Sequence, residues 1–309
     1  MRTERIAVIG DLMLDKHIHC EIVGLSPEDD LTPKLRVISE RTNPGGAANV
    51  AVNLKSLGCR EIHLFGVIGV DLEGQELTEK LHNITTGGFL IKNETPTTTK
   101  TRYVTPRGRH VARIDREEIK EFDNDIIMQL RDKIHDSLPL DLIVVSDYAK
   151  GVITEKLMSL LLSLGTKIIV DPKGRNYQKY GKVYAITPNE TEAIIANQHA
   201  AEYLIITKGS NGCELHKYRL GPFEKKFKVR KREVGDPTGC GDSFIAGLAL
   251  ALTRDKQIKE ACGYALATGA CAIDHEGAYA VTYKDVGQEL ASFDYFGKND
   301  IESSGDIFC

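Results

Sequence analysis

Short apolar runs rich in β-branched residues recur along the chain, and most are apolar at every position rather than at alternate ones. They are "RIAVIG" (5–10), "EIHLFGVIG" (61–69), "LIVVSD" (142–147), "KIIVDP" (167–172), "VYAITP" (183–188) and "YLIITKG" (203–209). Segments of helical period lie between most of them: "ANVAVNLKSLG", "EGQELTEKLHN", "NDIIMQLRDKIHDSL" and "ITEKLMSLLLSLG". A strand covered on both faces reads as an unbroken apolar run, and strands alternating with helices build a parallel sheet. The pattern predicts an α/β fold, doubly wound around a mostly parallel central sheet, with ligands at the carboxyl ends of the strands.

Two stretches break this rhythm. Residues 15–43 and 95–117 alternate polar with apolar positions, as in "KLRVISE" and "TTTKTRYVTPRGRHVARIDRE", where "TPRGR" reads as a hairpin turn. Half-buried strands of this kind belong in a small antiparallel sheet of their own, projecting over the strand ends as a lid inserted in one domain spanning 1–309. There is no internal repeat, and the tail "DYFGKNDIESSGDIFC" (294–309) is polar.

Composition narrows the partners. The 309 residues are 41% hydrophobic and 27% charged, which suits an ordinary globular protein. With 40 Lys and Arg against 44 Asp and Glu, the net charge of -4 supplies neither a basic field for nucleic acid nor a polybasic membrane patch. No apolar run approaches the roughly 18 residues of a membrane span, and "MRTERIAVIGD" enters a strand pattern without a signal-peptide core, so a cytoplasmic protein with a small-molecule partner is expected. The seven cysteines are scattered, without a C-x-x-C pair, which suggests neither a zinc site nor a disulfide framework.

The familiar nucleotide and hydrolase fingerprints, G-x-x-x-x-G-K-[ST], an early G-x-G-x-x-G, G-x-S-x-G and H-E-x-x-H, are absent. Chemistry instead concentrates in "GDPTGCGDSFIAGLALAL" (235–252). Gly239 and Gly241 let the backbone around Cys240 aim successive N–H groups into one cavity, and the following helix adds its positive end, which together suit a phosphoryl group. Asp242 is then placed either as a general base toward a hydroxyl or as a plain helix cap.

Three more stretches attract attention. In "NPGGAANVAVNLKSLG" (43–58), Gly45 and Gly46 precede a helix whose Asn49 suits a polyol, although a plain strand-to-helix turn fits as well. In "GDLMLD" (10–15), Asp11 and Asp15 follow the first strand, ready to accept from sugar hydroxyls or simply to sit in a surface loop. In "TPNETE" (187–192), Asn189 and Glu192 either share a face toward a hydrated magnesium ion or form a capping box.

These stretches, in this order, resemble the ribokinase-like (PfkB) carbohydrate kinase family, through the glycine pair, the N-x-x-E and the late signature "DPTGCGD" (236–242). "GDLMLD", "SPE" (26–28), "GGAANVAVNLKSLG", "VVSDYAKG" (144–151), "DPKG" (171–174) and "TPNETE" are similar to the versions in the subgroup acting on D-glycero-D-manno-heptose 7-phosphate. The resemblance implies an ATP- and Mg²⁺-dependent sugar kinase, with a monovalent cation as a further requirement to test. It casts Asp242 as the base and the N–H groups of Gly239, Cys240 and Gly241 as the anion hole. Asn189 and Glu192 then organise magnesium and phosphates, while Thr207, Lys208 and Gly209 line the nucleotide's path. Asp11, Asp15, Gly45, Gly46 and Asn49 would hold the sugar, and Lys100, Arg102, Arg113, Lys150 and Lys173 its distal phosphate, with arginine favoured for its fork.

Three departures from the family pattern stand out: a short 193–206 segment, Pro237 within the signature, and "DHEGA" (274–278) beside the expected adenine site. At 309 residues no nucleotidyltransferase domain is expected to follow, and the exposed edges of the lid point to a homodimer. The rival readings are a kinase for another sugar or a nucleoside, and a sugar-phosphate sensor without catalysis.

Overall fold

The computed structural model describes residues 3–194, 200–217, 223–232, 235–275 and 277–296. In chain order its strands are β1 (Arg5–Gly10), β2 (Leu12–Ser26), β3 (Asp29–Gly46), β4 (Glu61–Gly69), β5 (Gly87–Asn93), β6 (Thr98–Val104) and β7 (His110–Arg116), followed by β8 (Leu142–Ser146), β9 (Ile168–Asp171), β10 (Ala185–Ile186), β11 (Tyr203–Thr207), β12 (Cys213–Lys217) and β13 (Phe223–Phe227). The helices are α1 (Ala47–Ser56), α2 (Leu72–Leu81), α3 (Asn124–Asp136), α4 (Glu155–Ser163), α5 (Glu190–Ala193), α6 (Cys240–Thr253), α7 (Ile258–Ala272) and α8 (Tyr283–Ser292).

Nine strands form the central sheet in the order β13-β12-β11-β10-β9-β8-β1-β4-β5. From β5 to β11 every pairing is parallel, while β12 and β13 add an antiparallel edge that the apolar runs alone do not reveal. Successive residues of β1 enter opposite layers, as the two-residue period of a strand requires. Ile6 and Val8 join the core beneath α1, α6 and α7, whereas Ala7 and Ile9 join the core beneath α3 and α4. Helix α6 is buried along nearly its whole length, which accounts for the unbroken apolar reading of "FIAGLALAL".

The second sheet has four strands in the order β3-β2-β6-β7. One of its turns falls where expected, at "TPRGR", where the Thr105 N–H donates to Arg109 O at 2.9 Å, and a second lies at Pro27–Glu28. The lid is nevertheless not antiparallel throughout, since β2 pairs with β6 in parallel. A crossover through α1, β4, α2 and β5 separates those two strands, and only such a connection permits parallel pairing. The lid strands also reach further inward than 15–43, because Leu12 pairs with Gly46 and Asp15 with Asn43. "GDLMLD" and "NPGG" are therefore the roots of the lid rather than surface loops.

The register of the parallel strands sets Gly10 beside Ser146 and Ser146 beside Asp171. Asp11, Asp147 and Asp171 consequently gather at one edge of the sheet, under the roots of the lid. Of the C-terminal tail, Tyr295 is described: it is buried and donates its hydroxyl to Glu289 at 2.5 Å. Residues 297–309 lie outside the described residues.

Candidate active site

At the head of α6, Gly239 serves as N-cap with φ of 80°, in the left-handed region that favours glycine. A side chain here would also press on Asn49, whose Nδ2 would stand 2.9 Å from a Cβ. Asp236 holds the turn from below, accepting from Thr238 N–H at 2.9 Å and Gly277 N–H at 2.8 Å. The open amides of the turn are not the trio of Gly239, Cys240 and Gly241 expected to form an anion hole. Cys240 N–H donates to Pro237 O at 3.2 Å, closing the turn on itself, so the amides left open in the first turn among the described residues are those of Gly239, Gly241 and Asp242. Pro237 thus serves as an acceptor within the turn.

Asp242 is not the N-cap, because it sits within the first turn of α6, where the residue is 4% exposed. Its Oδ2 accepts from Asn49 Nδ2 at 2.7 Å and its Oδ1 from the Tyr148 hydroxyl at 2.8 Å. Burial pushes its carboxyl up to about 6, against the lowering effect of those two hydrogen bonds. A buried carboxylate with such a proton affinity and one lone pair still free on each oxygen is suited to take a proton near neutrality.

Asn49 therefore holds Asp242, and it is fixed in turn by α1, where Asn53 Nδ2 donates to its backbone and side-chain oxygens at 3.0 and 3.2 Å. Gly46 is the N-cap of α1, and Gly45 lies extended against the lid root. A Cβ on Gly45 would come within 2.3 Å of Asp15 Oδ2, so only glycine leaves room for that carboxylate. Asp15 is buried and pairs with Arg102 at 2.9 Å.

The carboxylate of Asp11 accepts from the backbone N–H groups of Tyr148 (2.7 Å), Lys150 (3.1 Å) and Val152 (3.2 Å), so it shapes the 148–152 loop. Burial, then the charge of Asp147, pushes it up to about 6.

The proposed phosphate clamp divides as well. Arg113 forks onto Asp115 at 2.8 and 2.7 Å, Lys150 pairs with Glu117 at 2.7 Å, and Lys173 pairs with Glu192 at 2.6 Å. Lys100 is the cation whose charge no carboxylate meets at contact distance among the described residues: its ammonium lies 4.8 Å above the Tyr148 ring. Burial lowers its pKa, the charge of Asp15 opposes this, and the charges of Arg113, Lys150 and Arg102 act with burial.

Asn189 and Glu192 form the capping box of α5. Asn189 Oδ1 accepts from Glu192 N–H and Glu192 Oε2 from Asn189 N–H, each at 2.9 Å. The alternative of a cap is thus the one observed, and Glu192 retains only the oxygen facing Lys173 for other work. Asp171, at the end of β9, was missed by motif reading although it opens the quoted "DPKG". Burial raises it to about 7; Lys173 opposes this, while the charges of Asp242 and Glu192 add to it.

A cavity of about 180 Å³ adjoins the head of α6, lined by Thr207, Gly209, Val229, Cys240, Phe244 and Leu266 among others. Thr207 and Gly209 fall where the nucleotide was expected. Lys208 does not line it, because its ammonium turns to Glu214 at 2.7 Å. Arg230 and Arg232 line it instead, from the segment after β13 that carried no motif. The 195–199 part of the shortened segment and residue 276 of "DHEGA" lie outside the described residues.

A mostly parallel sheet with helices on both faces, a small lid sheet, a glycine turn with open amides and a buried carboxylate beside it fit a carbohydrate kinase of the ribokinase-like class. The chain matches the pfkB family carbohydrate kinase over residues 3–284, and it belongs to that family. It is 33% identical over 310 residues to the bifunctional protein HldE of Campylobacter jejuni subsp. doylei, and 35% identical over 306 residues to that of Helicobacter pylori. Those alignments cover 91% and 92% of this chain but 64% and 65% of the relatives' own length. Among solved structures, phosphofructokinase-2 from Escherichia coli in complex with potassium superposes with a TM-score of 0.77 at 18% identity, over 94% of this chain and 99% of that one. Ribokinase from Thermotoga maritima does so at 0.72 and 21%, over 93% and 99%.

Proposed function

We propose that the chain transfers the γ-phosphoryl group of ATP to the anomeric hydroxyl of a sugar phosphate, D-glycero-D-manno-heptose 7-phosphate, giving the 1,7-bisphosphate. The observation that carries this reading is Asp242: buried, raised to about 6, and set one residue from open amide donors at the start of α6. Asp242 takes the hydroxyl proton, the freed oxygen attacks the γ-phosphorus, and the bond to the ADP oxygen breaks. The open N–H groups of Gly239, Gly241 and Asp242 meet the charge that develops on the phosphoryl oxygens. The adenosine half of the nucleotide fits the mainly apolar cavity bounded by Phe244 and Leu266.

The donor set fits a magnesium ion. The carboxylate of Asp171, raised to about 7 among the charges of Asp242 and Glu192, sits where added positive charge is favourable, and Glu192 has an oxygen shared with Lys173. These two would hold the ion through its waters, and the ion would neutralise phosphate charge. No observation on the described residues assigns a monovalent cation.

The heptose assignment rests on the run of motifs "GDLMLD", "SPE", "VVSDYAKG", "DPKG" and "TPNETE". The distal phosphate rests on Lys100, the cation left without a contacting carboxylate. A panel of sugars and sugar phosphates with ADP release as readout tests the reading. Turnover on ribose, fructose or a nucleoside, with none on heptose 7-phosphate, would move the acceptor elsewhere within the family; sugar binding without ADP would mark a sensor.

The assembly proposed is a homodimer through the lid. In the distal part of the β2–β3 hairpin, Ile22, Val23, Leu25, Leu31, Val37 and Ile38 are all at least 40% exposed. A two-stranded ribbon with apolar side chains this open is stabilised by a second copy.

A further inference from the structure

We propose that Tyr148 is a positioning residue for the phosphoryl transfer, acting through Asp242. The inference deepens the kinase reading and rests on it. The hydroxyl of Tyr148 has a single acceptor among the described residues, Asp242 Oδ1 at 2.8 Å, and burial, with the adjacent negative charges adding to it, keeps it protonated as a donor.

Four features fix where that hydroxyl points. Asp11 holds the Tyr148 backbone N–H at 2.7 Å, the shortest of its three bonds to the loop. Gly46, at the lid root, stands against the ring, where a Cβ would be 3.5 Å from Cδ2. The ammonium of Lys100, from lid strand β6, lies 4.8 Å from the ring centroid, and that of Lys173, which follows β9, lies 5.9 Å away. A phenol built only for packing would not need to be aimed from the sheet edge, the lid and the 171–174 loop at once.

The consequence is chemical as well as geometric. A donor to an ionised carboxylate favours the charged form, so Tyr148 and Asn49 together offset part of the burial that raises Asp242. The other charges facing Asp242 are Asp15 from β2 and Lys173, and Asp171 at the end of β9 is electrostatically coupled to it. Those remain when the phenol oxygen is removed. One hydrogen bond to a charged group corresponds to a shift of about one pH unit.

The test is the pH profile of kcat/KM for wild type and Tyr148→Phe, with the fold of each checked by thermal melting. In the variant the acid limb moves up by about one unit, turnover above that limb stays within about tenfold of wild type, and the KM for ATP is unchanged. Should the phenylalanine variant not fold, 3,5-difluorotyrosine at 148, a stronger donor of nearly the same shape, moves the limb down instead. A limb that stays in place in a folded variant, with activity lost evenly at all pH values, overturns the inference and leaves the kinase reading intact. A wild-type protein that forms no ADP with any acceptor overturns both.

Discussion

Asn49 donates its side-chain amide to Asp242 at 2.7 Å across 193 positions of sequence. That bond joins the first turn of α1, which grows out of the lid root, to the first turn of α6, which carries the open amides. A neutral donor is required at this place. Asn49→Asp would set a second carboxyl against Asp242, and the pair would share one proton, because two close carboxylates do not both ionise. Turnover at pH 7 is expected to fall by at least about a hundredfold, with recovery toward alkaline pH; a steady-state profile from pH 5 to 9 checks it.

Lys100 separates acceptor charge from chemistry. Replacing it with methionine keeps the length and the contact with the Tyr148 ring but removes the ammonium. KM for a phosphorylated acceptor is expected to rise about ten- to a hundredfold, with little change for its unphosphorylated analogue. Lys150→Met, which only breaks an ion pair with Glu117, is expected to show a smaller effect. Equal losses on both acceptors would remove Lys100 from phosphate recognition.

Asp242 costs stability at neutral pH. Its folded value of about 6 lies above the ordinary carboxylate value of 3.8, so the folded state binds the extra proton. The stability this group gives is present at low pH and is lost as pH rises from near 4 through about 6. Asp242→Asn removes the titration. The variant is expected to be more stable than wild type by about 1–3 kcal/mol at pH 8, the advantage shrinking toward pH 4; urea denaturation at a series of pH values reads it directly.

The lid makes a separate claim on assembly. Charges placed on the exposed hairpin, Ile22→Lys with Val37→Lys, are expected to halve the mass seen by light scattering at micromolar protein. A wild-type mass of one chain at the same concentration would exclude the dimer.

The fold was legible wherever the period of the side chains carried it. Fully buried strands such as β1 and β8 announced a parallel sheet, and the alternation around "TPRGR" announced a hairpin. Strands β12 and β13 escaped because "CELHK" and "FEKKF" are half polar, and β13 is the outermost strand of the sheet. The parallel β2–β6 pair escaped because register depends on the intervening crossover, which no local pattern encodes.

The site was legible residue by residue but not in its pairings. Asp242 and the glycines were found from their own letters. That Asp11 holds a loop depended on Tyr148, Lys150 and Val152, all more than 130 positions away. The ion pairs of the proposed clamp were not legible either: Asp115, Glu117 and Glu192 meet three of its five cations and Asp15 a fourth. Tyr148 lay inside a quoted motif, yet nothing local to "SDYAKG" marks its hydroxyl as the partner of a carboxylate 94 residues on.

The central claim is that Asp242 is the base, and Asp242→Asn tests it most directly because the carboxamide keeps shape while losing proton affinity. With ATP, Mg²⁺ and the best acceptor of the panel, kcat is expected to fall by at least about a hundredfold, while ATP affinity by calorimetry stays within about twofold. Turnover near the wild-type value in the folded variant would contradict the account.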